Sequence, residues 1–210
     1  MSNVRNPIFA RCYTRLSEKV EPLGVAAHRC ELLQGLGGSV IELGAGNGMN
    51  FRHYPASIKK VVAVEPEPYL RERAYESAAD CAVPVHVVDG EADALPFNDH
   101  AFDAGIVSLV LCTVPDQHRA LSELFRVIRT GGELRFYEHV RSSQPGYGRL
   151  QTRAAAVWPF FAGGCRPDRR TGEAIERAGF VVERMRRFVW QPSLVEVLTA
   201  PRIIGVARRP

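Results

Sequence analysis

This sequence predicts an α/β fold, a mostly parallel sheet with helices packed around it, and three observations carry the prediction. From residue 39 onward, apolar runs of strand length alternate with segments of helical period, the order that a parallel sheet wrapped by helices requires. A glycine cluster, Gly44, Gly46 and Gly48, closes the first of those runs, where a strand has to turn sharply. The chain has 210 residues, enough for one α/β domain with a substantial core and too few for two of ordinary size.

The elements follow in order. Residues before Ser39, with apolar positions at Ile8, Phe9, Tyr13 and Leu16, read as helical and outside the sheet, placed to cover a ligand. Ser39–Leu43 reads as the first buried strand, Lys60–Glu65 as the second, Val83–Val88 as the third and Phe102–Leu109 as the fourth. Glu67–Ala79, rich in alternating charges and alanines, suits a surface helix. Asp116–Arg129 is the next helix, N-capped by Asp116 and stopped by Gly131 and Gly132 before a fifth strand, Gly132–His139. A looser Gly/Pro/Arg-rich stretch leads to a helix at Thr171–Ala178, closed by Gly179. Strands at Phe180–Phe188 and Arg202–Ala207 bring the count to seven.

Composition removes several classes of function. Hydrophobic residues make up 46% and charged residues 24%, near the globular average, which disfavours disorder and a membrane-integral architecture. The apolar stretch Ala154–Gly164 is interrupted by Pro159 and falls short of the ~20 residues of a membrane helix, so no stable membrane insertion is expected. The N-terminus, with Arg5, Arg11 and Arg15 among polar residues, lacks the pattern of a secretory signal, and a cytoplasmic location is the expectation. Five cysteines, an odd number without zinc or redox spacing, read as free thiols, and no His/Cys/Asp cluster suggests a metal. The net charge of +4 is spread out except near Arg166–Arg170 and Arg184–Arg187, less than a nucleic-acid groove usually shows.

The loop Glu42-Leu43-Gly44-Ala45-Gly46-Asn47-Gly48 lets a ligand approach the backbone at the end of the first strand. Its G-x-G-x-G spacing differs from the G-x-G-x-x-G of nicotinamide enzymes, and alone it is no more than a tight turn. Roughly twenty residues on, the second strand ends in Glu65, a carboxylate able to accept both hydroxyls of a ribose and unfavourable to a 2′-phosphate; Pro66 then fixes the turn under the adenine. After the third strand, Asp89-Gly90-Glu91-Ala92 offers a carboxylate and backbone N–H groups to an adenine edge. Either Glu91 or Asp89 supplies the side chain, with Glu91 preferred because Asp89 suits a loop cap.

With Leu95-Pro96-Phe97, Phe102-Asp103, Ser108-Leu109-Val110-Leu111-Cys112-Thr113-Val114-Pro115, Phe136-Tyr137-Glu138-His139-Val140 and Gly163-Gly164-Cys165, the chain resembles the class I S-adenosylmethionine-dependent methyltransferases, and among them the alkyl-thiol S-methyltransferase-like family. The likeness runs from about Asn6 to Ala207. It implies a Rossmann-like seven-stranded sheet with helices on both faces and an antiparallel last strand. It also implies S-adenosylmethionine as cofactor, S-adenosylhomocysteine as product, and cofactor contacts from Glu42, Gly44, Gly46, Gly48, Asn50, Glu65, Glu91 and Ser108. Ala45, Pro66, Gly90, Ala92 and Leu109, beside them, complete the candidate cofactor set. Thr130 departs from the family's proline before the paired glycines, and Arg166 after Cys165 departs on the acceptor side.

The expected arrangement is one domain: a cap at 1–38, a cofactor-binding half at 39–140 and a substrate-side half at 141–210. A small-molecule acceptor is expected, a thiol ahead of a hydroxyl, amine or phospholipid head group, with no nucleic acid and a monomer or homodimer. His139 at the end of the fifth strand is the candidate general base for a hydroxyl or amine, with a structural hydrogen-bonding role equally open. Only one of Glu138 and His139 is expected to face the cleft. Tyr13 is a candidate roof over the sulfonium or a core aromatic, Cys112 a packing residue, and Trp158, Phe160 and Phe161 either line the acceptor pocket or bury against the sheet.

Overall fold

A computed structural model describes residues 6–210; Arg5 and the residues before it lie outside the described residues. The elements run α1 (Pro7–Val20), α2 (Val25–Leu33), β1 (Gly38–Leu43), β2 (Ile58–Val64), α3 (Pro68–Ala79), β3 (Val85–Val88), β4 (Phe102–Ser108), α4 (Gln117–Val127), β5 (Ile128–His139), α5 (Pro145–Ala154), α6 (Trp158–Phe161), α7 (Thr171–Arg177), β6 (Val181–Val189) and β7 (Pro201–Arg208). The strands form a seven-stranded sheet in the order β3-β2-β1-β4-β5-β7-β6. Pairing is parallel from β3 through β5, and β7 runs antiparallel to both β5 and β6.

Alternation along the strands builds a core on each face. In β1, Ile41 and Leu43 point toward α4 residues Leu121 and Leu124, with Ile175 of α7 beyond. Val40 points the other way, into a layer made by Leu32 and Leu33 of α2, Ala74 of α3 and Phe51. The strand order reverses at β1, flanked by β2 and β4, which opens a crevice at the carboxyl ends of the central strands, the place where α/β sheets bind ligands.

The expected strands are all present, and the differences have local causes. Asp116 caps α4 as expected, its Oδ1 accepting from the Arg119 N–H at 3.0 Å. The helix, however, ends at Val127, and β5 begins at Ile128 rather than Gly132. Gly131, at φ +75°, sits inside the strand, where the pairing with β4 shifts register. Gly132 leaves room for the Asp103 carbonyl, which an added Cβ would approach to 2.7 Å. The N-terminal helix α1 forms, but Ile8 and Leu16 face outward; its buried side is Ala10, Thr14 and Ser17. Small residues are required there because α1 lies on the glycine loop, where Asn47 Nδ2 donates to Ser17 Oγ at 3.1 Å. Phe160 and Phe161 are exposed rather than buried against the sheet.

Candidate functional site

The crevice is a cleft of about 620 Å³, within the range of small-molecule sites, lined from α1, the ends of β1, β2 and β4, the loop after β3, and the segment 159–169. Its floor is the glycine loop. Gly44 and Gly46 line it with φ of +63° and +58°, a conformation that side chains resist, and a Cβ on Gly44 would overlap the Val110 side chain. Leu109, also lining the cleft, holds φ +60° although it is not a glycine, and its N–H donates to the Tyr137 carbonyl at 2.7 Å. That left-handed residue turns the chain out of β4 at the switch point.

Glu65 follows the last residue of β2 and is 5% exposed. Its Oε2 accepts from the Gly46 N–H at 2.8 Å and its Oε1 from the Glu67 N–H at 2.9 Å, so the carboxylate couples the glycine loop to the start of α3. Burial raises its pKa from 4.5 to about 7, against the two N–H bonds that lower it. Each oxygen keeps a lone pair for a ligand hydroxyl. Pro66, Gly90, Glu91, Ala92 and Ser108 line the same end. Asp89, the alternative to Glu91, is exposed, does not line the cleft, and accepts from Arg71 Nη1 at 3.0 Å.

Tyr13 closes the cleft from above. An ideal Cβ on Gly46 would lie 3.4 Å from the Tyr13 ring, and the ring stacks on Phe9 with centroids 5.8 Å apart. Burial pushes its hydroxyl pKa up, so the phenol stays protonated at neutral pH. Beyond Tyr13 the lining turns apolar, with Val110, Val114, Pro159 and Phe160, and two arginines, Arg166 and Arg169, edge it. Arg169 is held by loop carbonyls: it donates to Leu111 O and, through Nη2, to Val114 O at 2.6 Å.

Four candidate cofactor residues, Glu42, Ala45, Gly48 and Asn50, do not line the cleft. They form its underlay. Glu42, 2% exposed, accepts from Asn50 Nδ2 at 2.6 Å and from the Tyr54 hydroxyl at 2.7 Å, and burial raises its pKa. Asn50 in turn accepts from Arg29 Nη1 at 2.6 Å, and Arg29 Nε donates to Glu21 at 3.1 Å. Gly48, at φ +77°, packs so closely that a Cβ would come within 2.8 Å of Phe51 and Ser77.

Neither Glu138 nor His139 faces the cleft. Glu138 is fully buried and accepts the N–H groups of Val110 and Leu111 at 2.9 Å each and of Cys112 at 3.2 Å, which shapes the loop after β4. His139 Nδ1 lies 3.5 Å from Cys112 Sγ and 3.6 Å from Cys165 Sγ, a cluster of two buried cysteines and a half-buried histidine behind the cleft wall. Sequence spacing gave no sign of it, since the three residues stand 27 and 26 positions apart. Phe9, Val110 and Arg169 were also missed as lining residues. The signal available for Arg169 was the basic run 166–170, which charge alone leaves as solvated surface.

Residues 41–136 match the family model described as a methyltransferase domain. The chain is 32% identical over 207 residues to the thiol S-methyltransferase TMT1B of Mus musculus, covering 95% of this chain and 82% of the relative. In structure it is similar to the putative methyltransferase solved with the Trm112 activator of Haloferax volcanii, with TM-score 0.73, 18% identity, and coverage of 99% and 100%. It is also similar to geranyl diphosphate C-methyltransferase of Streptomyces coelicolor A3(2), solved with S-adenosyl-L-homocysteine, with TM-score 0.67, 16% identity, and coverage of 88% and 78%. With these relatives, the chain belongs to the family of S-adenosylmethionine-dependent methyltransferases that includes the thiol S-methyltransferases.

Proposed function

We propose that the protein transfers the methyl group of S-adenosylmethionine to the sulfur of a small thiol. The observation that carries this reading is a cleft with two unlike ends. One end is acidic and glycine-lined, suited to a nucleoside; the other is apolar and edged by Arg166 and Arg169. The cradle fits the cofactor, because at Gly44 a side chain would fill the floor and Glu65 stands at the edge with lone pairs to spare. Glu65 accepts the ribose hydroxyls, Glu91 with the Gly90–Ala92 backbone meets the adenine edge, and Gly44, Gly46, Ser108 and Leu109 bound the rest. Glu42, Ala45, Gly48 and Asn50 hold that floor rigid from beneath.

When bound, the cofactor supplies a methyl group on a sulfonium that is already a good leaving group. The protein's own part is to position the acceptor and exclude water, an effect worth roughly 7–11 kcal/mol in well-oriented reactions. Tyr13 and Phe9 do this from the cap, and Phe160 from the segment after α5. A thiol with pKa near 8.5 is about 3% thiolate at pH 7, so no strong base is required. Among the described residues no histidine or lysine lines the cleft, which favours a thiol over a hydroxyl or amine acceptor. The cations of Arg166 and Arg169 favour the thiolate electrostatically.

In this reading residues 1–38 act as the cap, 39–140 bind the cofactor and 141–210 complete the acceptor side, within one domain acting as a monomer or homodimer. The acceptor is a diffusible metabolite and the setting the cytoplasm. All five cysteines are free, which supports that setting. An acceptor screen with alkyl thiols, phenols, amines and a phospholipid head group, read as S-adenosylhomocysteine formed, tests the proposal. Turnover is expected with the thiols; turnover with phenols or amines and none with thiols overturns it.

A further inference from the structure

We propose that Cys112, His139 and Cys165 form a binding site for a thiophilic metal ion, with Zn²⁺ as its natural class of occupant, behind the acceptor end of the cleft. The three residues come from separate parts of the chain: the loop after β4, the last position of β5, and the segment after α6. Their donor atoms nevertheless lie within 4.8 Å of one another. His139 Nδ1 is 3.5 Å from one sulfur and 3.6 Å from the other. A tetrahedral ion with Zn–S of about 2.3 Å and Zn–N of about 2.0 Å needs a sulfur–nitrogen separation of about 3.5 Å, so the ring nitrogen already stands at the required distance from each sulfur.

The surrounding backbone fixes the first of these ligands. Glu138 accepts the Cys112 N–H at 3.2 Å, and the Arg166 N–H donates to the Cys112 carbonyl at 2.8 Å. Cys165 is anchored by its own N–H to the Ala162 carbonyl at 3.0 Å. The single lone pair of the His139 ring nitrogen cannot accept from both S–H groups at once; Cys112 also has hydrogen-bond partners in Cys165, the Glu138 carboxyl and the Leu109 carbonyl, 3.6 Å from its sulfur, so its sulfur is held in place from several sides.

Binding a divalent ion releases the two thiol protons to solvent, and the two thiolates then neutralise the ion's charge, so the buried unit carries no net charge. Among the described residues no fourth His, Cys, Asp or Glu joins the group. The fourth position is therefore left to water or an added thiolate, the arrangement of an open zinc site. Thr113, Gly164 and Arg166, each adjacent in the chain to a cysteine of the cluster, line the cleft, so a metal here would brace the acceptor wall. Metal binding at this cluster does not depend on methyl transfer.

The test is a titration of reduced, chelator-treated full-length protein with Co²⁺. The expected result is saturation at one equivalent, with the strong visible bands of a tetrahedral ion, thiolate-to-cobalt absorption, and displacement by equimolar Zn²⁺. C112S and C165S should each weaken the thiolate absorption and H139A should weaken binding at least tenfold. C30S, which alters the separate Cys30–His53 contact at 3.3 Å, should leave the spectrum unchanged. The wild-type spectrum decides the matter even if a variant fails to fold. A weak octahedral spectrum without thiolate absorption, or a thiolate band unaltered in folded C112S and C165S, overturns the proposal.

Discussion

Raising the pH from 6 to 8 should tighten S-adenosylhomocysteine binding about tenfold, and Glu65→Gln should abolish that dependence. The cause is burial, which lifts the Glu65 pKa from 4.5 to about 7 in the ligand-free protein. A carboxyl with that pKa is about one-tenth ionised at pH 6 and about nine-tenths at pH 8. Ligand hydroxyls are drawn to the ionised form, so affinity follows that fraction and gains about 1.4 kcal/mol across the range. The sign for folding is opposite. The native carboxyl still holds its proton between pH 4.5 and about 7, where the unfolded one has lost it, so its contribution to stability falls as pH rises through that window. Isothermal titration calorimetry at pH 6, 7 and 8, in buffers of different ionisation enthalpy, reads both the affinity and the proton released. Release of about half a proton is expected at pH 7 in the wild type and none from this site in the variant. A flat wild-type profile, or the same slope in Glu65→Gln, refutes the assignment of Glu65 to the ligand.

Other outcomes follow from the same geometry. Gly44→Ala forces a side chain to φ +63° against Val110, and a loss of about 2 kcal/mol, or a Tm lower by about 4–8 °C, is expected by thermal denaturation; an unchanged Tm contradicts the close packing of the loop. Glu138→Ala strands the N–H groups of Val110, Leu111 and Cys112 and should cost about 3 kcal/mol or more in urea unfolding; a loss below about 1 kcal/mol would mean that other groups satisfy them. Tyr13→Phe should retain near-normal KM for S-adenosylmethionine while Tyr13→Ala raises it several-fold, since the ring rather than the protonated hydroxyl covers Gly46. Equal effects in steady-state kinetics would move the role to the hydroxyl.

The sheet was legible because its strands are short apolar runs punctuated by Gly44, Glu65 and Asp116, each of which does locally what its residue type favours. The start of β5 was misread because Gly131 and Gly132 look like a helix stop. They lie at a register irregularity within a strand whose true first residue, β-branched Ile128, already has extended backbone at ψ 132°. Helix α2 lies within the segment before Ser39 that reads as helical, but its separation from α1 is not legible, because its nine residues carry a weak apolar face between Gly24 and Gln34, neither of which caps it with a side chain. In α5 the glycines at 146 and 148 argued against a helix that tertiary contacts sustain, including Gln151 Nε2 donating to Leu198 O at 2.9 Å.

At the site, strand ends and loops betrayed the nucleoside side, since Glu65, Gly90 and Glu91 occupy positions that follow from strand order alone. Burial separated lining from support: Glu42 and Asn50 share a motif with Gly44 and Gly46, yet their side chains are satisfied by Tyr54 and Arg29. The acceptor side depends on contacts between residues far apart in the chain, such as Arg169 on Leu111 and Val114, and no local period encodes those.

A crystal structure of the protein with S-adenosylhomocysteine tests the assignment of the cleft outright. The ribose hydroxyls are expected on the Glu65 carboxylate, the adenine against Gly90–Ala92, and the sulfur turned toward the apolar end beneath Tyr13. A ligand bound elsewhere, or bound in the cleft with its ribose away from Glu65, would contradict that assignment.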